Sequence, residues 1–232
     1  MTVQNRYSGD AELFDAVRRE LFVALVGDAL DKLGFQHQFL HPSLKPIDPS
    51  FVILGRAMPV LGADCFGEKH AGNNSLSARP FGLMFEALDD LKPREVYICV
   101  GASHRYALWG GLMSTRAIHC GAAGAVVHGF HRDTPEILRL RFPVASCGGY
   151  SQDQGPRGKV VDWRVPIEMD GVRVRPGDVV YGDRDGILVV PAEAVDEVFS
   201  RAFEKARGEK AVLKALEQGM STVEAFEHFG IM

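Results

Sequence analysis

In the stretch AGAVVHGFHRDTPEI, residues 123–137, a short apolar run ends in glycine, two histidines and the pair Arg132-Asp133. Two chemistries are open to these residues. His128, His131 and Asp133 form H-x-x-H-x-D, a two-histidine, one-carboxylate donor set of the kind that holds a transition metal. Alternatively, each histidine is a strand-end residue satisfied by hydrogen bonds. Extended backbone puts residues three apart on opposite faces, so His128 and His131 converge only if Gly129 turns the chain.

Arg132-Asp133 reads differently. A guanidinium binds carboxylates through paired N–H donors, and a carboxylate suits a hard divalent cation. The pair stands at the C-terminal end of a strand, where α/β sheets present ligands. Thr134-Pro135-Glu136 behind it reads as the N-cap, N1 proline and first-turn acid of a helix. Asp133 as a plain helix cap, with Arg132 pairing to it, is the competing reading. A second stretch, WGGLMST at 109–115, opens another helix. There the backbone N–H groups of Leu112 and Met113 are placed to bind a carboxylate or an enolate oxygen.

Other residue types carry less. The glycines of CGAAGAVVHG do not form G-x-G-x-x-G between a strand and a helix, and no P-loop lysine follows a glycine run. Ser114, Ser146 and Ser151 lack a G-x-S-x-G context, and Cys147 in ASCGGY reads as an ordinary buried thiol. Schiff-base chemistry needs a buried lysine. Lys92, Lys159 and Lys205 read as lying beside turns or on charged helical faces, so that route is set aside. Asp178, Asp183 and Asp185 read as turn residues. Asn73-Asn74 form either a turn or a loop near substrate, and Arg105 either contacts a substrate tail or makes a surface salt bridge.

The elements that must position these residues alternate in type. From Ala11 to Leu33 apolar residues recur three and four apart before Gly34, which predicts one helix or two consecutive helices. FVILGRAMPVLG predicts a strand interrupted at Gly55. AGNNSLSA reads as a turn, PFGLMFEALDDL as a helix and EVYICVG as a buried strand. GGLMSTRAIHCG and TPEILRL then read as helices, with AGAVVHG and FPVAS as the strands after each. This βαβα rhythm predicts parallel pairing with helices packed on the sheet. From Val160 the turn pairs Asp170-Gly171, Pro176-Gly177 and Asp185-Gly186 divide short alternating strands, an antiparallel portion. A charged helix from Ala192 to about Gln218 and the amphipathic STVEAFEHF follow.

The 232 residues, 46% hydrophobic and 24% charged, fit one sizeable α/β domain over 1–232 with a helical extension from 192. A formal net charge of −4 gives no general attraction to nucleic acid or an anionic membrane, so small molecules or proteins are the expected partners. Cys65, Cys99, Cys120 and Cys147 form no C-x-x-C pair, and the N-terminal stretch lacks the basic start and apolar run of a signal peptide. A soluble, cytoplasmic protein is the expectation.

GGLMSTRAIHCGAAGAVVHGFHRDTPEI, followed by FPV and then GVRVRPGDVVYGDRDGILVVP, resembles the family that joins the RraA-like proteins, regulators of ribonuclease E activity, with the 4-hydroxy-4-methyl-2-oxoglutarate / 4-carboxy-4-hydroxy-2-oxoadipate aldolases. The resemblance runs from VGDALDKLG to the C-terminal helix. It implies a swivelling β/β/α-type fold with mixed parallel and antiparallel sheets and outer helices. It also implies a homotrimer or homohexamer with sites between subunits, the C-terminal helix packing on a neighbour. The implied activity is a class II, metal-dependent retro-aldol cleavage of a 4-hydroxy-2-oxo acid that releases pyruvate, with oxaloacetate decarboxylation as a side reaction. Arg132 would hold the 2-oxo acid carboxylate, Asp133 would bind Mg2+ or Mn2+, and the amides of Leu112 and Met113 would sit on the pyruvyl group. Gly110, Gly111, His131 and, in its substrate-tail reading, Arg105 are the further substrate-binding candidates.

Two positions depart from the family pattern. The aldolases carry an acid where Gly111 stands, and most relatives have Asp-Gly where this chain has His128-Gly129. His128, His131 and His104 are the candidates to supply the missing function or to bind a different substrate tail. A glutamate from a neighbouring subunit approaches the family's site, and Glu209, then Glu204, are the candidates here. The non-catalytic alternative is a regulator that binds a ribonuclease or another protein.

Overall fold

The computed structural model describes residues 7–65 and 75–231. In chain order the helices α1 (Asp10–Glu20) and α2 (Val23–Lys32) precede strands β1 (Lys45–Pro46) and β2 (Ile53–Asp64). After them come α3 (Met84–Asp89), β3 (Glu95–Val100), β4 (Ala107–Trp109), α4 (Gly111–His119), β5 (Gly124–Val127), β6 (Phe130–His131), α5 (Thr134–Leu140) and β7 (Val144–Ser146). The remaining strands are β8 (Gly158–Trp163), β9 (Ile167–Met169), β10 (Val172–Val174), β11 (Val179–Gly182) and β12 (Ile187–Val190), before helices α6 (Val195–Glu217) and α7 (Thr222–Phe229). The chain divides into two compact units, one of residues 1–36 with 193–232 and one of residues 37–192.

In the first unit the 11–33 periodicity resolves into two helices, because Leu21 and Phe22 are both extended. α2 ends at Gly34 (φ 87°) with Gly34 N–H bonded to the Asp31 carbonyl and Phe35 N–H to the Leu30 carbonyl, a pairing that satisfies carbonyls left over at a helix end. α6 buries Val198, Phe199, Ala202 and Phe203 at helical spacing and packs on α2. Lys205 of α6 pairs with Asp28 of α2 and, at 3.1 Å, with Glu209.

In the second unit an eight-stranded sheet runs β1-β7-β5-β3-β2-β11-β12, with β8 also paired to β2. The expected parallel pairing holds for β2, β3, β5 and β7, and the later strands pair antiparallel. Alternate residues of these strands face opposite ways. On one face Met58, Tyr97, Cys99, Val127 and Val144 meet Met84, Leu88, Ala117 and Ile137 of helices α3, α4 and α5. On the other, Ala57, Val96, Ile98, Val126 and Ala145 meet Ile167, Met169, Val172 and Val174 of the β9–β10 hairpin. The order helix layer, sheet, hairpin gives the mixed α/β architecture that was expected.

Three local expectations are corrected. β2 runs unbroken through Gly55, whose glycine is required by close packing: a Cβ there would overlap the Arg94 carbonyl oxygen and press on Ala123 and Val96. The helix expected over 80–91 shrinks to α3, because Phe81 (φ 60°) and Gly82 (φ 65°) turn the chain left-handed just before it. Lys159 lies in β8 and is buried, its ammonium donating to the Arg79 carbonyl at 2.6 Å, rather than beside a turn. Asp178 and Asp183 are turn acceptors as expected, Asp178 taking the N–H groups of Arg175 and Ala192 and Asp183 that of Asp185. Asn73 and Asn74 lie outside the described residues.

Gly55→Ala should destabilise the protein by about 1–3 kcal/mol, the cost of overpacking a well-filled core. Gly9→Ser, at the N-cap of α1 where serine is well accepted and a Cβ meets nothing within 4 Å, serves as the control. The check is a urea titration in which the midpoint falls for Gly55→Ala at constant slope and does not fall for Gly9→Ser.

Candidate functional site

The site is built on a two-stranded parallel pair, β4 with β6, in which Trp109 lies opposite His131 and the Arg132 N–H bonds the Trp109 carbonyl at 2.9 Å. Trp109 anchors this pair in the core, 5.0 Å from the Tyr97 ring and stacked on Phe142. Its indole N–H donates to Ser114 Oγ at 2.8 Å, and Ser114 Oγ donates to the Gly110 carbonyl at 3.1 Å. Both links are buried, so the turn from β4 into α4 is fixed by polar groups that have no water to replace them.

That pairing sets the start of α4 beside the start of α5. Asp133 is the N-cap of α5 in a left-handed conformation (φ 58°, ψ 36°), yet its side chain makes no capping bond to α5. Instead Asp133 Oδ2 accepts the Gly111 N–H at 3.1 Å, placing a carboxylate at the N-terminus of α4. Thr134 is therefore the first residue of α5 and not its cap. A Cβ on Gly110 would come 2.7 Å from Asp133 Oδ2, so a side chain there would push the carboxylate out of this position. The amides of Leu112 and Met113 lie in the first turn of α4, where helix geometry provides no intrahelical acceptor.

Arg132 Nη1 pairs with Asp153 Oδ1 at 2.9 Å, while its Nε lies 3.9 Å from Asp133 Oδ2. The guanidinium has five N–H donors, so the bond to Asp153 holds it in place without exhausting it. Arg132, Asp133 and Asp153 border a cavity of about 510 Å³ with Gly110, Leu112 and Met113. Its wall is apolar, from Phe81, Met84, Phe85, Leu88, Leu108 and Trp109, and Arg116, paired with Asp89 at 2.7 Å, completes the rim.

Of the expected site residues, the structure brings Arg132, Asp133, Gly110, Leu112 and Met113 to this cavity, with Gly111 behind them as the donor to Asp133. His131 does not line it. Its ring is buried, with Nδ1 2.7 Å from Ser146 Oγ and Nε2 2.9 Å from Thr134 Oγ1, so both nitrogens are engaged in holding the strand end. Arg105 is not on the cavity wall either; it lies in the turn whose neighbour Ser103 is bound by Asp64. Glu209 and Glu204 belong to α6 of the helical unit, Glu209 paired with Lys205 and Glu204 exposed. His128 and His131 do not converge: the His128 ring packs against His104 and its Nε2 lies 3.1 Å from Asp170 Oδ2.

Sequence reasoning missed Asp153, which positions Arg132, because it lies in the irregular stretch SQDQGPRG with no pattern around it. It also missed the crowding beside Gly111: a Cβ there would meet Glu136 Cγ at 2.8 Å, so the stem of Glu136 occupies that space. The Glu136 carboxylate bonds Arg139, which holds its pKa below the usual range. Among the described residues no helix is long and apolar enough to cross a membrane.

Residues 23–189 match the RraA-like family, described as Aldolase/RraA. Protein DlpA of Legionella pneumophila is 26% identical over 89% of this chain, which spans 32% of that protein's length. A Halalkalibacterium halodurans protein named "Putative 4-hydroxy-4-methyl-2-oxoglutarate aldolase" is 27% identical over 90% of both chains. The crystal structure of RraAS2 from Streptomyces coelicolor, titled an unusual member of the RNase ES inhibitor RraA protein family, superposes with a TM-score of 0.73 at 23% identity, covering 88% of this chain and 96% of that one, and so speaks for the fold.

Burial pushes the His131 pKa below 6.5, partly offset by the Gly148 backbone. The unfolded chain then takes up a proton near pH 6.5 that the folded chain refuses. The stability associated with His131 is full above that pH and is lost as pH falls through it. His131→Gln should flatten the fall in urea midpoint between about pH 7.5 and about pH 5. An unchanged slope would show that the ring is not held neutral.

Proposed function

The chain belongs to the RraA-like (Aldolase/RraA) family, and within it we propose that this protein is a divalent-metal-dependent lyase that cleaves a 4-hydroxy-2-oxo acid by a retro-aldol step and releases pyruvate. The observation that carries the reading is the convergence at one cavity of a guanidinium, a carboxylate and the N-terminus of α4, tied by the Asp133–Gly111 bond. Arg132, steadied by Asp153, is the group to hold the substrate carboxylate through paired N–H bonds. The Leu112 and Met113 amides, in the first turn of α4, are the groups to bind the keto and carboxylate oxygens of the same fragment, where negative charge grows as the carbon–carbon bond breaks. The apolar wall excludes water from that charge and strengthens each of these contacts.

The donors suit Mg2+ or Mn2+. Asp133 and Asp153 are oxygen donors, each about half exposed, and a hard cation that keeps several waters takes only one or two carboxylates. Asp133 would hold it, and when bound it supplies Lewis-acid stabilisation to the electron pair left on the 2-oxo fragment. Glu209 is retained as a contribution from a neighbouring subunit of a trimer or hexamer, which sedimentation tests.

A regulator that binds a ribonuclease or another protein is the second reading. It is favoured by Gly111, which brings no carboxylate, and by Leu112, 88% exposed beside the cavity. Retention of ribonuclease E on the immobilised protein, with no turnover of either substrate below, would support it.

The test is pyruvate release from oxaloacetate and from 4-hydroxy-4-methyl-2-oxoglutarate, coupled to lactate dehydrogenase, with Mg2+ or Mn2+ and then with chelator. Release should require the cation. Asp133→Ala and Arg132→Ala should each lower kcat/KM by about 10²-fold or more, the scale of a lost charge-assisted contact in the transition state. Absence of cation-dependent pyruvate, or an Asp133→Ala rate equal to the parent's, would sink the lyase reading.

A further inference from the structure

The parallel strands β3, β5 and β7 are neighbours in the sheet, and just beyond the C-terminal end of each stands a residue with a soft or borderline metal donor. His104 lies in the loop after β3, His128 directly after β5 and Cys147 directly after β7. Their donor atoms all lie within 4.8 Å of one another, with Cys147 Sγ 4.0 Å from His104 Nε2 and the two imidazoles in edge contact at 5.1 Å between centroids. Among the described residues this is the one group of three or more His, Cys, Asp or Glu side chains so gathered. None of the three belongs to the cavity of Arg132 and Asp133.

We propose that His104, His128 and Cys147 form a binding site for a borderline-soft divalent ion of the Zn2+ type, with an open fourth position. Thiolate and imidazole together select zinc-like ions over the hard cations that suit Asp133. Bond lengths of about 2.3 Å to sulfur and about 2.0 Å to nitrogen put tetrahedral donors about 3.5 Å apart, so the Cys147–His104 distance must close by about 0.5 Å and no donor pair by more than about 1.3 Å. His104 is exposed and its side chain is able to move that far.

The surroundings are those of a built site. Asp170, from the β9–β10 turn, lies 3.1 Å from His128 Nε2, and a carboxylate on a ligating histidine fixes its ring and raises its basicity. Asp64 binds the Ser103 N–H and the Tyr106 hydroxyl, both at 2.8 Å, and so pins the loop that carries His104. The Cys147 N–H donates to the Gly129 carbonyl at 2.7 Å and the His128 N–H to the Cys99 carbonyl at 2.9 Å, which fixes the other two backbones. Ser43 Oγ lies 3.7 Å from Cys147 Sγ and accepts or donates to His41 at 2.8 Å, giving a polar approach on the exposed side. Cys147 as an activated nucleophile fits less well, since burial raises its pKa.

The probe is Co2+, added to the whole chain after treatment with chelator. One equivalent should bind with tetrahedral visible bands and a near-ultraviolet thiolate-to-cobalt charge-transfer band, and equimolar Zn2+ should displace it. Cys147→Ser should abolish the charge-transfer band, and His104→Ala, at an exposed position, should weaken Co2+ binding by about 10-fold or more. Asp133→Ala should leave the band intact, which separates this site from the proposed lyase cation. Absence of the band, its persistence in Cys147→Ser, or unchanged Co2+ affinity in His104→Ala would overturn the assignment.

Discussion

The carboxylate of Asp133 on the N–H of Gly111 is the contact on which the candidate site depends. It joins the beginnings of two helices that the chain reaches from different strands. A non-glycine residue in the left-handed region costs about 1–2 kcal/mol, though aspartate tolerates it better than most. A carboxylate at a helix N-terminus returns about 0.3–1 kcal/mol. The balance is therefore close, and the arrangement stands because β4 and β6 are paired and Trp109, Ser114 and Gly110 lock the turn between them. Gly110 is the permissive element, since any side chain there would occupy the space of the Asp133 oxygen.

Much of this was legible in the chain. The parallel strands β3, β5 and β7 announce themselves as short continuous apolar runs, which is how a strand covered on both faces reads. Arg132 and Asp133 were readable as a charged pair at a strand end, with a helix cap as the competing use, and the structure sets both on a cavity wall. What stayed hidden depends on contacts distant in sequence. Gly55 looks like a break in a strand, and only the Arg94 carbonyl against it shows why no side chain is allowed. Lys159 looks like a turn lysine until β8 lies against β2 and the Arg79 carbonyl meets its ammonium. His131 looks available until Ser146 and Thr134 close on both its nitrogens. Cys147 and His104 have no shared motif, because sheet order and not sequence spacing makes them neighbours.

The second unit thus offers two donor sets of opposite character, one at the β4–β6 pair and one at the edge of the eight-stranded sheet. Oxygen atoms of Asp133 and Asp153 meet a guanidinium and backbone amides at an apolar cavity, while nitrogen and sulfur gather at the ends of β3, β5 and β7. Hard cations prefer the first environment and softer ones the second. His128 belongs with the second set: its imidazole faces His104 and Asp170, not the cavity.

Strand β2 pairs with β3 on one side, and on the other with β11 along Ile53–Arg56 and with β8 along Val60–Asp64. During synthesis β3 emerges soon after β2, whereas β8 and β11 come from far along the chain. Until they arrive, one long edge of an apolar strand stands without hydrogen-bond partners, the condition under which sheets join to other chains. Closing that edge is a non-local and therefore slow event. Any form of the chain in which β8 and β11 are not yet seated on β2 therefore presents that edge to other strands, and their pairing is what removes it.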